Sequence, residues 1–169
     1  MNAFRSHRGF SLVEMLVALV VMSVGMLGIA ALYIESMKSN RGASLRTQAV
    51  ALAYDMADRI RANRLAGAQY ALALGAAPPA AHNCVAGVNC TQDDMAEDDL
   101  NRWVTSVRAI MPWNGATPPR TAVIFTPAAG VGRPDTYQVM ITWREPNQDP
   151  GEPDYAYTLN MQVIPTPPT

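Results

Sequence analysis

The chain of 169 residues carries 13 Lys+Arg against 14 Asp+Glu, a net charge of −1, with 49% hydrophobic and only 16% charged residues. That length fits one domain, and so even a charge balance excludes the excess of Lys and Arg on which non-specific nucleic-acid binding rests. The apolar residues are spread unevenly, because Met15 to Ile34 is a run of 20 residues without a charge, long enough to cross a bilayer.

Taken in chain order, the first element is a short polar stretch with Arg5, His7 and Arg8, which turns apolar at Phe10. Positive charge ahead of an apolar run sets its N-terminus in the cytoplasm. A secretory signal would instead end in a small-residue cleavage site after about 7–15 apolar residues, and Ala30-Ala31 is a poor and late candidate. Glu14 is the only charge between Arg8 and Glu35. A carboxylate in a bilayer costs roughly 2.5–3.5 kcal/mol near mid-helix and less near the interface, so it normally has a partner or a function.

Gly9-Phe10-Ser11-Leu12-Val13-Glu14, followed by the apolar run, resembles the class III signal of type IV prepilins and type II secretion pseudopilins. The resemblance implies that a membrane-embedded prepilin peptidase cuts after Gly9 and N-methylates the new terminal Phe10. It also implies that Glu14 pairs with the terminal ammonium of a neighbouring subunit during assembly. The physics agrees, since an ammonium and a carboxylate entering an apolar bundle together relieve each other's desolvation. The alternative is an ordinary anchor in which Glu14 snorkels to the headgroups. Loss of residues 1–9 removes Arg5 and Arg8, taking 13 basic residues to 11 against 14 acidic, a side-chain charge of −3.

No proline occurs between Phe10 and Leu74, so one continuous helix is expected from the membrane into the head. Residues 10–34 are apolar on every face, as a membrane or filament-core helix requires. From Met37 on, Leu45, Ala49, Leu52, Met56 and Ile60 recur at helical spacing, which predicts an amphipathic continuation over 35–66. Taken from Phe10 to Ala66 at about 1.5 Å per residue, the whole helix would be on the order of 85 Å long. Asp55 with Arg59 and Asp58 with Arg61 read as solvated surface pairs. Where many pilins have a helix-breaking proline, this chain has Gly25 and Gly28, weak points of about 1 kcal/mol each or small faces for close helix contact.

Leu74 to Ala81 is a Gly/Ala/Pro loop that ends the helix. Cys84 and Cys90 follow as the only cysteines. With everything past Ile34 outside the cytoplasmic membrane, where thiols are oxidised, a Cys84–Cys90 disulfide is the leading reading. The rival is a metal held by His82, Cys84 and Cys90, which falls short of the four ligands of a structural zinc site, and no metal or other cofactor is expected. Thr91 with Asp94 forms the start of a capping box, opening a short helix whose Leu100, Trp103, Val104 and Val107 share one face before Pro112 stops it. Its carboxylates Asp93, Asp94, Glu97, Asp98 and Asp99 lack the spacing of a calcium loop. Asp99-Leu100, Trp103 and Met111-Pro112 resemble, less specifically, the post-cysteine helix of the PilV family of type IV pilus modification proteins, which are minor pilins.

Three strands complete the chain. Thr121 to Thr126 is β-rich without clear alternation, whereas Tyr137 to Trp143 and Tyr157 to Val163 alternate apolar and polar residues, the pattern of half-buried antiparallel strands. The polar stretch Glu145 to Asp154 joins the last two, and Pro165 to Thr169 reads as a frayed tail. The expected fold is α+β and pilin-like: a leader over 1–9, a membrane and filament-core helix over 10–34, and a periplasmic head over 35–169. The head would comprise the amphipathic helix, a disulfide loop and short helix over 75–112, and an antiparallel sheet over 120–164 covered by the helix.

No residue set assembles a catalytic site. His7 lies in the leader, His82 in a loop, and no G-x-S-x-G or phosphate loop occurs. The resemblance implies a low-copy minor pilin that starts in the inner membrane, helps to prime pilus assembly, and supports twitching motility and adhesion. Its partners would be the prepilin peptidase, other minor pilins, the major pilin and a tip adhesin, with no nucleic acid. The rivals are a type II secretion minor pseudopilin and a DNA-uptake pilin, the latter lacking its basic stripe.

Overall fold

The computed structural model describes residues 9–84, 89–113, 118–130, 132–145, 148–149 and 151–164. The leader's Arg5, His7 and Arg8, most of the leader with them, and the tail from Pro165 lie outside the described residues. The elements are helix α1 (Leu12–Ala62), a 3-10 helix (Arg64–Tyr70), helix α2 (Gln92–Ile110) and strands β1 (Arg120–Thr126), β2 (Asp135–Trp143) and β3 (Tyr155–Val163). The chain divides into two compact units, one ending at Ala43 and the other Ser44–Thr169.

The first unit consists of the N-terminal part of α1, and every large apolar side chain in it is exposed, from Phe10 at 77% to Met37 at 58%. Its most apolar window has a mean hydropathy of 2.6 and no buried residue. It is long and apolar enough to span a membrane.

In the second unit the rest of α1 is amphipathic, and Leu45, Ala49, Leu52, Met56 and Ile60 are all buried, joined by Ala53 and Ala57 on the same stripe. The α-helix stops at Ala62, four residues short of the expected Ala66. Asn63 has left the helical region at φ −114° and ψ 49°, and its side-chain amide donates to the Gln92 carbonyl at 2.8 Å. The backbone continues as a 3-10 helix interrupted at Gly67, whose φ of 52° suits glycine.

The sheet is antiparallel in the order β1-β2-β3. Its register opposes Val123, Val139 and Leu159 across the three strands, and likewise Phe125, Tyr137 and Met161. Beta-1, whose alternation was unclear from sequence, thus aims Thr121, Val123 and Phe125 along the same face as the apolar residues of β2. A further pairing lies just ahead of the Leu74–Ala81 loop. Leu72 exchanges both backbone hydrogen bonds with Val123, at 2.8 and 2.9 Å, and extends the sheet beyond β1.

One core unites these elements, with Met56 and Ile60 of α1, Tyr70 of the 3-10 helix, Leu100 and Trp103 of α2, and Val139 and Ile141 of β2 among its members. Trp103 is fully buried, and its indole N–H donates to the Leu52 carbonyl at 2.8 Å, tying α2 to α1. Arg46 on α1 lies over the Tyr155 ring at 5.7 Å, a cation–π contact at the sheet's β3 side.

Candidate functional site

Two places carry chemistry, and the first is the start of α1. Gly9, Phe10 and Ser11 stand outside the helix and are exposed. Ser11 caps it: its hydroxyl accepts from the Val13 N–H at 3.3 Å and its carbonyl from Met15 at 3.2 Å. The Gly9-Phe10 peptide bond thus lies ahead of the helix, in exposed backbone. No heavy atom lies within 4 Å of the position a Gly9 Cβ would take, so local packing does not dictate glycine there. Glu14 lies in the first turn of α1, where the helix dipole favours a carboxylate. Among the described residues it has no ion-pair partner, and its neighbours along the helix are exposed apolar side chains.

The second place is the start of α2, where the capping box forms in full: Thr91 accepts from the Asp94 N–H at 3.2 Å and Asp94 accepts from the Thr91 N–H at 3.0 Å. Cys84 and Cys90 are joined by a disulfide with Cα atoms 5.8 Å apart. Carboxylates of α2, set aside in the sequence only as a calcium loop, hold the backbone just ahead of this disulfide. Asp98, 3% exposed, accepts the backbone N–H groups of His82 and Asn83 at 3.0 and 2.9 Å through one oxygen, and Arg102 at 2.8 Å through the other. Burial opposes its ionisation, but Arg102 and the two N–H groups outweigh burial and hold the carboxyl below its ordinary range. The His82 ring meets Glu97 at 2.7 Å, and that hydrogen bond chiefly raises the His82 pKa.

A related correction concerns Asp55 and Arg59. The pair exists at 3.0 Å, but Arg59 also donates to Asp99 at 2.9 Å, and Asp99 accepts the Tyr70 hydroxyl at 2.8 Å. What reads as a solvated pair is one side of a partly buried network joining α1, the 3-10 helix and α2. Burial, then the Asp99 contact, pushes the Tyr70 phenol well above its usual value. Asp58 and Arg61 do form an exposed pair at 2.7 Å. No periodicity announces the Arg59–Asp99 or Asp98–His82 contacts, because 40 and 16 residues separate the partners.

Among the described residues no group of three or more His, Cys, Asp or Glu side chains is placed to hold a metal. The chemistry present is capping, ion pairing and a disulfide, together with an apolar helix that has no cover of its own.

Comparison with known families decides the identity. The model for the prokaryotic N-terminal methylation motif matches residues 4–30, and the model for type IV pilin Tt1218 matches residues 31–101. The chain is a type IV pilin. No curated protein and no solved structure matches it. The pilin match begins within the apolar helix and runs through the amphipathic half, the disulfide and the first half of α2. The α+β architecture of a long N-terminal helix and a small antiparallel sheet is that of a pilin. Type IV pilins are structural rather than catalytic subunits. A pilin with this motif implies processing by a prepilin peptidase and assembly with other pilins.

Proposed function

We propose that this pilin is made as a precursor anchored once in the inner membrane, with residues 1–9 cytoplasmic, and is cut after Gly9 and N-methylated on Phe10. Residues 10–34 then leave the bilayer for the core of a filament. The observation that carries this reading is the junction itself: an exposed Gly9-Phe10 bond just ahead of the Ser11 cap, followed by an apolar helix exposed on every face with Glu14 in its first turn. In the filament Glu14 sets the register by pairing with the Phe10 ammonium of a neighbouring subunit, since both charges avoid an unpaired state only together. The resemblance of Asp99-Leu100, Trp103 and Met111-Pro112 to PilV supports a low-copy minor pilin that primes pilus assembly, and so twitching motility and adhesion, alongside other minor pilins, the major pilin and a tip adhesin.

The test is N-terminal peptide mass spectrometry on protein from its native membrane, combined with Glu14→Leu. Processing predicts a terminus at methylated Phe10 in both proteins, with Glu14→Leu retained in the membrane but lost from sheared filaments. An intact Met1 or a cut near Ala31 would sink the proposal. In a deletion strain, loss of twitching supports the minor-pilin role, and loss of protein secretion with twitching intact assigns the chain to a type II secretion pseudopilus.

A further inference from the structure

We propose that His82 is a pH-sensitive latch that fastens the disulfide loop of the head to the first turns of α2. Beyond Phe10 the chain has a single histidine, the other of its two being His7. That one imidazole sits against two carboxylates on successive turns of α2: Nε2 lies 2.7 Å from Glu97 Oε2, and Nδ1 lies 3.7 Å from Asp94 Oδ1. Asp94 has an oxygen to spare for it, because the capping box uses Oδ2. The charged groups facing the ring are Asp94, Glu97 and Asp98, the last neutralised by Arg102, and all four belong to α2.

The loop is fixed at both ends by contacts that do not titrate near neutrality. Asp98 holds the backbone of His82 and Asn83, just ahead of Cys84. Thr91, directly after Cys90, is the cap of α2. Only the imidazole contacts change with pH. Protonated, the ring donates its Nε2–H to Glu97 and its positive charge is attracted to Asp94 as well; neutral imidazole loses that charge, and with it the attraction to both carboxylates. The folded-state pKa of His82 is raised above 6.5, so the latch is complete below that value and weakens as pH rises through the folded pKa. On the topology proposed above, the head lies outside the cytoplasmic membrane, where pH varies, and there the segment ahead of Cys84 is held tighter in acid.

The experiment measures how fast a phosphine reductant opens Cys84–Cys90 in the full-length protein in detergent, from pH 5.5 to 8.5, for the wild type, His82→Gln and Glu97→Gln. Taking the ratio of the wild-type rate to the His82→Gln rate at each pH cancels the reductant's own pH dependence. The ratio should be near one at pH 8.5 and fall to about one third at pH 5.5, the scale of exposed ion pairs. Glu97→Gln should flatten most of that fall while its circular dichroism matches the wild type. A ratio that stays constant across the range overturns the latch, whatever its value, because a merely structural His82 would change the rate equally at every pH. An unchanged fall in Glu97→Gln overturns the assignment of the partner.

Discussion

The two halves of α1 are equally helical and face opposite conditions. From Leu12 to Met37 the large apolar side chains are 57–85% exposed, whereas Leu45, Ala49, Leu52, Met56 and Ile60 further along are at most 8% exposed. The second half finds its cover in the chain itself, from α2, the 3-10 helix and the sheet. In the first half the apolar residues circle the whole helix, and within its own unit nothing covers them. Hydrophobicity thus marks both halves for burial, but only the second half has its partners in the same unit. The first half has no such partners in its own unit, which fits a membrane-anchored pilin that assembles with other pilins.

Three substitutions sharpen that contrast. The largest effect on the head should come from Trp103→Ala, which empties a fully buried site and removes the hydrogen bond to Leu52. A loss of about 3–5 kcal/mol is expected, read by chemical denaturation of the full-length protein in detergent, with processing at Gly9 unchanged. If processing fell in step with head stability, the two halves would not be independent.

A smaller effect is expected from Asp98→Asn, which keeps an acceptor for the His82 and Asn83 N–H groups but loses the charge paired with Arg102. The cost should be about 1–2 kcal/mol at neutral pH. Because the folded Asp98 pKa is depressed, its stabilisation is present above the unfolded value near 4 and is lost as pH falls through the folded pKa. The wild-type and variant melting curves should therefore converge in acid. The smallest effect on the head belongs to Leu19→Asn in the exposed apolar half. Melting of the head should change by less than about 0.5 kcal/mol, while membrane fractionation shows weaker retention. A large destabilisation by Leu19→Asn would mean that the head covers this segment after all.

Much of the fold was legible because it repeats locally. The stripe from Leu45 to Ile60, the Thr91 capping box and the alternation from Tyr137 to Trp143 each lie within one element, where helix or strand geometry fixes which side chains share a face. The end of α1 was less legible. Ala62 to Ala66 has acceptable helix formers, and the helix stops because Asn63 bonds to Gln92, a residue 29 positions away. The pairing of Leu72 was not legible for a similar reason, since a single bridge to Val123 leaves no periodic trace. The stretch from Gly9 to Glu14 was legible as part of a motif, because a short fixed order of residue types is visible without any folding.

The sequence by itself determined the long helix, its change from wholly apolar to amphipathic, the junction ahead of it and the strands, since each depends on neighbours within a few residues. Only the tertiary structure decided what the charges do. Asp99 completes a network with Arg59 and Tyr70, and Asp98 holds the backbone ahead of Cys84. A carboxylate on a helix face looks the same in sequence whether it meets water or a buried donor, and the chain brings that donor to it only by folding.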